Sequence, residues 1–291
     1  MARDLLSVGE FTIIRRIGNG ARSTIYLATD EEDGTLVALK RVIIERPEDH
    51  RVIEQTEMEY KVAREIDHPY IRKCYKLQKI RSMFKVRELI LSMEHFEGKT
   101  LEDTTTLSLG DVLLVFRMVA TGLNAMHQRG FVHCDIKPNN ILINKSGSIK
   151  IIDLGQSCRI GTIKSRIQGT PDYIAPEQVK RKNLTPKTDI FNLGATMYWA
   201  LTGKNVPTLI PKKQQTVGLY EPTKCLAPHE LKSQLPVGLS MLVMDCVKND
   251  PAERPSNMVD IISGLDSMIH SIFGGKIKAN RNASNNHRSA Q

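Results

Sequence analysis

The sequence predicts an α+β chain of two unequal parts, a small strand-rich one followed by a larger, mainly helical one. Two observations predict it. Over the first ninety-odd residues, β-branched runs are broken by Gly and Asp turns and interrupted by one long helical stretch. Past "EHFEGKTL", apolar residues recur three or four apart. At 291 residues, the chain has ample length for one large domain or two lobes around a buried core.

The elements follow in order. "FTIIRRIGNG", "STIYLATD" and "TLVALKRVII" read as strands, the last two joined through the acidic turn "DEEDG". A helix is expected around residues 49–66. "SLGDVLLVFRMVATGLNAMHQRG" spaces Val112, Phe116, Val119, Leu123 and Met126 at helical intervals, with Gly130 as its stop. "TDIFNLGATMYWALTG" is apolar nearly all round, which fits a helix buried inside a lobe. "SNMVDIISGLDSMIHSIF" closes the domain, with Ser256 as the expected N-cap. Residues 274–291 hold Lys276, Lys278, Arg281 and Arg288 and no acid. They supply +4 of the net +9 and are expected to form a disordered basic tail. The predicted boundaries are an extension at 1–10, a domain at 11–273 that changes character at 94–98, and the tail. No internal repeat is visible.

Composition narrows the function classes. Apolar content of 41% and charged content of 25% are ordinary for a globular protein. The best membrane candidate, "DVLLVFRMVATGL", is interrupted by Arg117, so no membrane span is expected. The first ten residues carry acids early and no long apolar core, so no secretory signal is expected. Cys74, Cys134, Cys158, Cys225 and Cys246 are scattered and form no CxxC. That pattern predicts a reducing, cytoplasmic setting. Basic and aromatic residues do not interleave, so no specific nucleic acid is expected as a partner.

The chemistry begins with "IGNGARSTIYLAT". Gly18 and Gly20 lie between strand-like runs and let backbone N–H groups approach phosphates. A strand follows where a dinucleotide-binding fingerprint needs a helix, and the Gly-Lys-Ser/Thr of a Walker A loop is absent. "VALK" places Lys40 in an apolar run, twenty residues past Gly20. Further on stand "HCDIKPNN", "DLG", "GTPDYIAPE" and "NDPAERPS".

A glycine loop between strands, VALK, H-x-D-x-K-x-x-N, DLG and APE, in that order and spacing, resemble a eukaryotic-type protein kinase over about residues 10–270. The pattern is similar to the Ser/Thr kinases that bacteria share with eukaryotes. The resemblance implies a bilobal fold with a small lobe at 11–93, a hinge at 94–98 and a large lobe at 99–273. It implies ATP and Mg²⁺ as cofactors and a protein with a Ser or Thr acceptor as substrate. Asp135 matches the catalytic carboxylate, and Lys137 the cation beside the transferred phosphate. Asn140 and Asp153 match the Mg²⁺ ligands, both hard oxygen donors. Lys40 matches the lysine that reaches the α- and β-phosphates. Its acid partner is expected among Glu54, Glu57, Glu59 and Glu65. Glu59 is chosen because it lies nineteen residues after Lys40 and nine before His68, separations that resemble the family's. Glu57, roughly 200° away round the helix, must then face elsewhere. Ile17, Gly18 and Gly20 match the loop over the nucleotide. Ile25, Ala38 and Leu142 match the apolar positions around the purine, Met93 the gatekeeper, and Glu94 and Phe96 the hinge. Thr170 resembles the threonine that braces the catalytic Asp and Lys in Ser/Thr kinases. Glu177 and Arg254 resemble the family's buried ion pair, and Asp189 the anchor of the catalytic loop.

Three departures stand out. Ser23 replaces the third loop Gly, and Leu154 replaces the Phe of DFG. Cys134 stands where related kinases usually carry Arg, whose charge a phosphate in the activation segment neutralises. The position of that phosphate is Arg166 here, so receptor and acceptor are both absent. Cys134 has no second Cys beside it in sequence and is expected to be a packing residue. The resulting expectation is a Ser/Thr kinase that works without activation-segment phosphorylation, ordered by other contacts or by a regulatory partner protein. A pseudokinase or nucleotide-binding scaffold is the alternative, against which Lys40, Asp135, Asn140 and Asp153 argue.

Overall fold

The computed structural model describes residues 7–20, 22–46, 49–82, 85–104, 107–210 and 225–288, with side chains through 272. The N-terminal part is one antiparallel sheet. Its strands are β1 (Ser7–Val8), β2 (Phe11–Gly20), β3 (Ser23–Asp30), β4 (Leu36–Ile43), β5 (Cys74–Ser82) and β6 (Lys85–Glu94), in the order β1-β2-β3-β4-β6-β5. Alternation along β4 sorts its side chains. Val37 and Leu39 join Val8, Phe11, Ile13 and Ile90 in a core on one face. Ala38 belongs to the other core, with Leu91, Met93 and the α1 residues Val62 and Ala63. Lys40, two residues from Ala38, therefore points toward helix α1 (His50–Glu65).

The helical part is built on α2 (Leu109–Gln128) and α4 (Pro186–Thr202). Ser108 and Asp111 cap α2 reciprocally: each backbone N–H donates to the other's side-chain oxygen at 3.2 Å. Gly130 follows the helix at φ +79°, a conformation that glycine adopts without strain. Val112, Phe116, Val119, Leu123 and Met126 are all buried. By length and apolar content alone α2 could cross a membrane, but half of its apolar window is inside the fold. It packs there on α4 and on α7 (Met258–Arg288). Helix α4 is buried without a break from Thr188 to Tyr198. Gly194 permits its close approach to α6 (Val237–Cys246), because a Cβ there would stand 2.4 Å from that of Cys246.

Two sequence expectations change. Asn257, not Ser256, caps α7: its Oδ1 accepts the N–H groups of Val259 and Asp260 at 2.8 and 3.2 Å. Where composition predicts a disordered tail from 274, the backbone continues as helix to Arg288. No proline follows Pro255, so nothing interrupts the i→i−4 ladder, although Gly274 and Gly275 each weaken it by about 1 kcal/mol. Residues 289–291, like 1–6 of the extension, lie outside the described residues.

Short elements position the loops. Strands β7 (Lys99–Thr100), β9 (Ile141–Ile143) and β10 (Ile149–Ile151) form one small sheet, and β8 (Phe131–Val132) pairs with β11 (Cys158–Arg159) in another. The β9–β10 hairpin is entered through the 3-10 turn Pro138–Asn140 and left through Leu154–Gln156. It thus carries Asn140 and Asp153 at its two ends. The remaining short helices are α3 (Pro176–Val179) and α5 (Pro228–Leu231).

Candidate active site

A cavity of about 1160 Å³ opens between the sheet and the helical part. Of the residues matched from sequence to catalysis, nucleotide or Mg²⁺, all but Asp135 and Met93 line it. Ile17, Gly18, Gly20, Ile25, Ala38 and Lys40 come from β2, β3 and β4. Glu94 ends β6, and Phe96 comes from the chain that leaves it. Lys137, Asn140, Leu142, Asp153 and Thr170 come from the helical part. Met93 is fully buried in the core behind the cavity, where it pairs with Ala38 across β4 and β6. Neither loop glycine has a positive φ, and a Cβ on Gly18 would make only ordinary contact with Ile25. Ser23 pairs with Gly20 at the tip and also borders the cavity.

The Lys40 ammonium donates to Glu59 Oε2 at 2.7 Å, and Arg72 approaches Glu59 Oε1 at 3.4 Å. Burial is the largest influence on Lys40 and pushes its pKa down. The Glu59 and Asp153 carboxylates outweigh it and hold the pKa above its ordinary value. The other acids considered for this role sit outside: Glu57 pairs with Lys79, and Glu65 with Arg159.

Asp135 lies just behind the cavity wall, 6% exposed. Thr170 donates to its Oδ1 at 2.8 Å, Lys137 to its Oδ2 at 3.0 Å, and Lys137 also donates to the Thr170 hydroxyl at 2.7 Å. The three side chains close a triangle in which Lys137 and Thr170 face the cavity and hold both carboxylate oxygens. The Asn140 amide nitrogen donates to the Asp135 carbonyl at 2.8 Å, which leaves its oxygen as the atom to offer a hard cation. Asp153, held at φ +61°, has no hydrogen-bond partner for its carboxylate among the described residues. One amide oxygen and one unspent carboxylate on the same wall fit Mg²⁺ shared with nucleotide phosphates. No cluster of three or more His, Cys, Asp or Glu side chains able to hold a metal occurs among the described residues. Leu154 is buried in the main core, in a turn that packs on α1.

The loop before Asp135 is fixed from below. Asp189 is fully buried, and its carboxylate accepts the N–H groups of His133 and Cys134 at 2.8 Å each; His127 Nε2 lies at the same distance. Burial pushes the Asp189 pKa up, but the hydrogen bonds and the nearby histidines bring it below the usual carboxylate value. His133 Nδ1 accepts the Asp135 N–H at 3.2 Å, so the proton sits on Nε2, which faces the Ile152 carbonyl at 3.3 Å. Cys134 has φ +67°, a strained value for a residue with a side chain. The surroundings impose it: Asp189 holds its N–H, and Gln178 Nε2 donates to its carbonyl at 2.8 Å. The expected ion pair is present, with Arg254 meeting Glu177 through two bonds of 2.8 and 2.9 Å.

Sequence reasoning missed several residues. Gln178 ties the Cys134 carbonyl to that of Gln168 in the activation segment, while its own oxygen accepts from Ala175 and Asn192. It stands one residue past the APE motif, which is the only signal that could have pointed to it. Lys150 pairs with Glu94 at 2.7 Å, and the other Glu94 oxygen accepts the Lys73 N–H at 3.2 Å. Cys158, remote from Cys134 in sequence, brings its Sγ to 3.8 Å from that of Cys134.

Comparison with known proteins adds a family and relatives. The family model described as protein kinase domain matches residues 11–265. The chain is 36% identical to the serine/threonine-protein kinase CST20 of Candida albicans over 197 residues, which are 65% of this chain and 15% of that protein. It is 31% identical to the serine/threonine-protein kinase PrkC of Bacillus subtilis over 204 residues, 67% of this chain and 31% of that protein. It is 27% identical to the serine/threonine-protein kinase PknD of Chlamydia pneumoniae over 291 residues, 89% of this chain and 31% of that protein. The chain thus spans less than a third of the length of each of these relatives.

Proposed function

The chain belongs to the protein kinase family, and from that premise we propose that it transfers the γ-phosphoryl group of ATP to Ser or Thr hydroxyls of protein substrates. The observation that carries this reading is the triangle of Asp135, Lys137 and Thr170 at the edge of the cavity that Lys40, Asn140 and Asp153 also line.

Asp135 orients the acceptor hydroxyl and takes its proton as transfer proceeds. Thr170 and Lys137 fix the carboxylate, so no reorganisation is needed at the moment of reaction. The Lys137 ammonium, held at the cavity wall by these same bonds, offsets charge on the moving phosphoryl group. Lys40, aligned by Glu59, holds the α- and β-phosphates. Asn140 and Asp153 would hold Mg²⁺, which when bound supplies charge neutralisation between the phosphates. Ile25, Ala38 and Leu142 enclose the purine, and the backbone at Glu94 and Phe96 meets its edge.

The test is incubation with γ-labelled ATP, Mg²⁺ and a generic protein substrate, followed by mapping of the labelled residues. Label on Ser or Thr supports the reading. Tight nucleotide binding without transfer would favour a scaffold instead.

The finer reading is that transfer does not depend on phosphorylation of the activation segment. Internal bonds support it. Gly161 and Leu184 are joined by a backbone bond of 2.8 Å and Leu184 and Thr162 by one of 3.0 Å, while Arg181 donates to the Ser165 carbonyl at 3.1 Å. Arg166 stands 3.9 Å from Glu54 of α1. Ser157 is buried and so is shielded from modification in this conformation. A cytoplasmic setting and a regulatory partner protein belong to the same proposal.

A further inference from the structure

Two cysteines that the mechanism does not use face each other beneath the active site. Cys134 immediately precedes Asp135, and Cys158 opens β11, five residues after Asp153. Their Sγ atoms are 3.8 Å apart. With Val132 and Leu184 they form a small apolar cluster. We propose that this pair is a redox modification site, which a peroxide converts into a disulfide joining the loop of Asp135 to the activation segment.

The geometry favours bond formation. A disulfide needs an S–S distance of about 2.05 Å, so the sulfurs must close by roughly 1.8 Å. The Cys134 backbone is pinned by Asp189 and Gln178, which leaves rotation about Cα–Cβ as its means of approach. Cys158 lies on a two-residue strand, in register with Val132, and adjusts at less cost.

The two thiols are not equivalent. Cys158 borders a second cavity of about 310 Å³ between α1 and the activation segment, whereas Cys134 borders neither cavity. Lys164 borders the same cavity and donates to the Gln156 carbonyl, which brings a cation beside Cys158. The hydrogen bond from Cys134 lowers the Cys158 pKa against the effect of burial, and Lys164 lowers it further. The bond to Cys158 and burial both raise that of Cys134. Cys158 is therefore the attacking thiolate and Cys134 the resolving thiol.

The chemistry balances with hydrogen peroxide as oxidant. The Cys158 thiolate attacks one peroxide oxygen, the O–O bond breaks, and hydroxide leaves to become water. The product is a Cys158 sulfenic acid. Cys134 then loses its proton and attacks the sulfenic sulfur; the S–O bond breaks and the second water departs. Two thiols and one peroxide give one disulfide and two waters. The new bond spans the two segments that, in related kinases, an arginine at the position of Cys134 and a phosphate hold together. It does so without adding charge.

The remaining cysteines are internal controls. Burial pushes Cys74 and Cys246 up to about 12, so neither is thiolate at neutral pH, and Cys225 is half-exposed. The reduced full chain is treated with hydrogen peroxide at neutral pH, blocked with N-ethylmaleimide and digested with trypsin without reductant. The expected product is peptide 130–145 linked to peptide 151–159, two hydrogens lighter than their sum and released by dithiothreitol. Before oxidation, N-ethylmaleimide should label Cys158 ahead of Cys134, Cys74 and Cys246. Cys134→Ser and Cys158→Ser should each abolish the linked peptide. If either variant melts too early to test, the wild-type peptide map and labelling order decide alone. Three results would overturn the proposal: Cys158 sulfinic acid with Cys134 still open to alkylation, a link from Cys158 to Cys225, or both thiols intact under peroxide that oxidises the half-exposed Met241. Because the readout is sulfur chemistry, its failure leaves phosphoryl transfer untouched, and the reverse holds as well.

Discussion

The Thr170 hydroxyl donates to Asp135 Oδ1 at 2.8 Å across 35 residues of sequence, tying the substrate-facing end of the activation segment to the proposed base. Thr170→Val should lower kcat by about tenfold to a hundredfold, equivalent to about 1.4–2.7 kcal/mol of barrier. Nucleotide affinity should hardly change, and Thr170→Ser should recover most of the rate. Asp135→Asn should cost more, on the order of a thousandfold or above, again with nucleotide binding retained. Steady-state kinetics beside a fluorescent-nucleotide titration distinguish the two effects. An equal loss in binding would show that these residues shape the pocket rather than act on the hydroxyl.

Lys40 and Glu59 form a pair whose stabilisation has a defined pH window. The folded pKa of Lys40 is raised, so this contribution is complete below the unfolded value of about 10.4 and is lost only as pH rises through the higher folded value. Between pH 7 and 9, wild-type stability should therefore show no transition from this group. Glu59→Gln removes a buried partner from both Lys40 and Arg72 and should cost about 3 kcal/mol. Urea unfolding across that pH range checks both statements.

Asp189 acts at the opposite end of the scale. Its pKa is depressed, so its contribution is complete above the unfolded value of about 3.9 and disappears as pH falls through the lower folded value. Asp189→Asn presents only one accepting oxygen to the His133 and Cys134 N–H groups. It should destabilise the protein by about 2–4 kcal/mol at pH 7. The gap between variant and wild type should narrow below about pH 4. A constant gap down to pH 2 would mean that the carboxylate charge contributes nothing.

For the activation segment, phosphatase treatment and the double change Thr162→Ala with Ser165→Ala should each leave activity within a few-fold. Thr162 donates to the Arg159 carbonyl at 2.6 Å, and losing that bond should cost about 1 kcal/mol of local stability and no more. A loss on the order of a hundredfold would point to a required phosphate, with Lys164 and Arg166 as its first candidate receptors.

The parts of the fold legible in the sequence are those encoded by local periodicity and by motif spacing. The strand reading of "TLVALK" puts Ala38 and Lys40 on one face, and the spacing of Glu59 from Lys40 and His68, which resembles the family's, singles it out and leaves Glu57 facing elsewhere. What stayed hidden depends on register between distant segments. Nothing in the sequence says that Cys158 pairs with Val132 in a two-residue strand, and that pairing alone brings it to Cys134. Gln178, Lys150 and Arg72 act through long-range bonds that no periodic pattern announces. The N-cap of α7 fell one residue late because Ser256 and Asn257 are both good caps, and only geometry decides between them. Asp135 and Met93 stand just off the cavity wall, since adjacency in a motif does not specify which atoms meet solvent.

The bond between Glu94 and Lys150 has a mechanical consequence. It anchors the end of β6 to β10, and so makes a pivot about which the sheet can rock against the helices. Glu94 pairs with Val37, whereas Ser23, beside the glycine tip, pairs with Val42. Five residues of β4 therefore form a lever arm of about 17 Å. A rotation of about 10° at the pivot moves the tip by about 3 Å, roughly the span of one hydrogen bond. Small angular changes at the base would thus open or close the glycine strand over the cavity, while Ala38, one residue from the pivot, moves least.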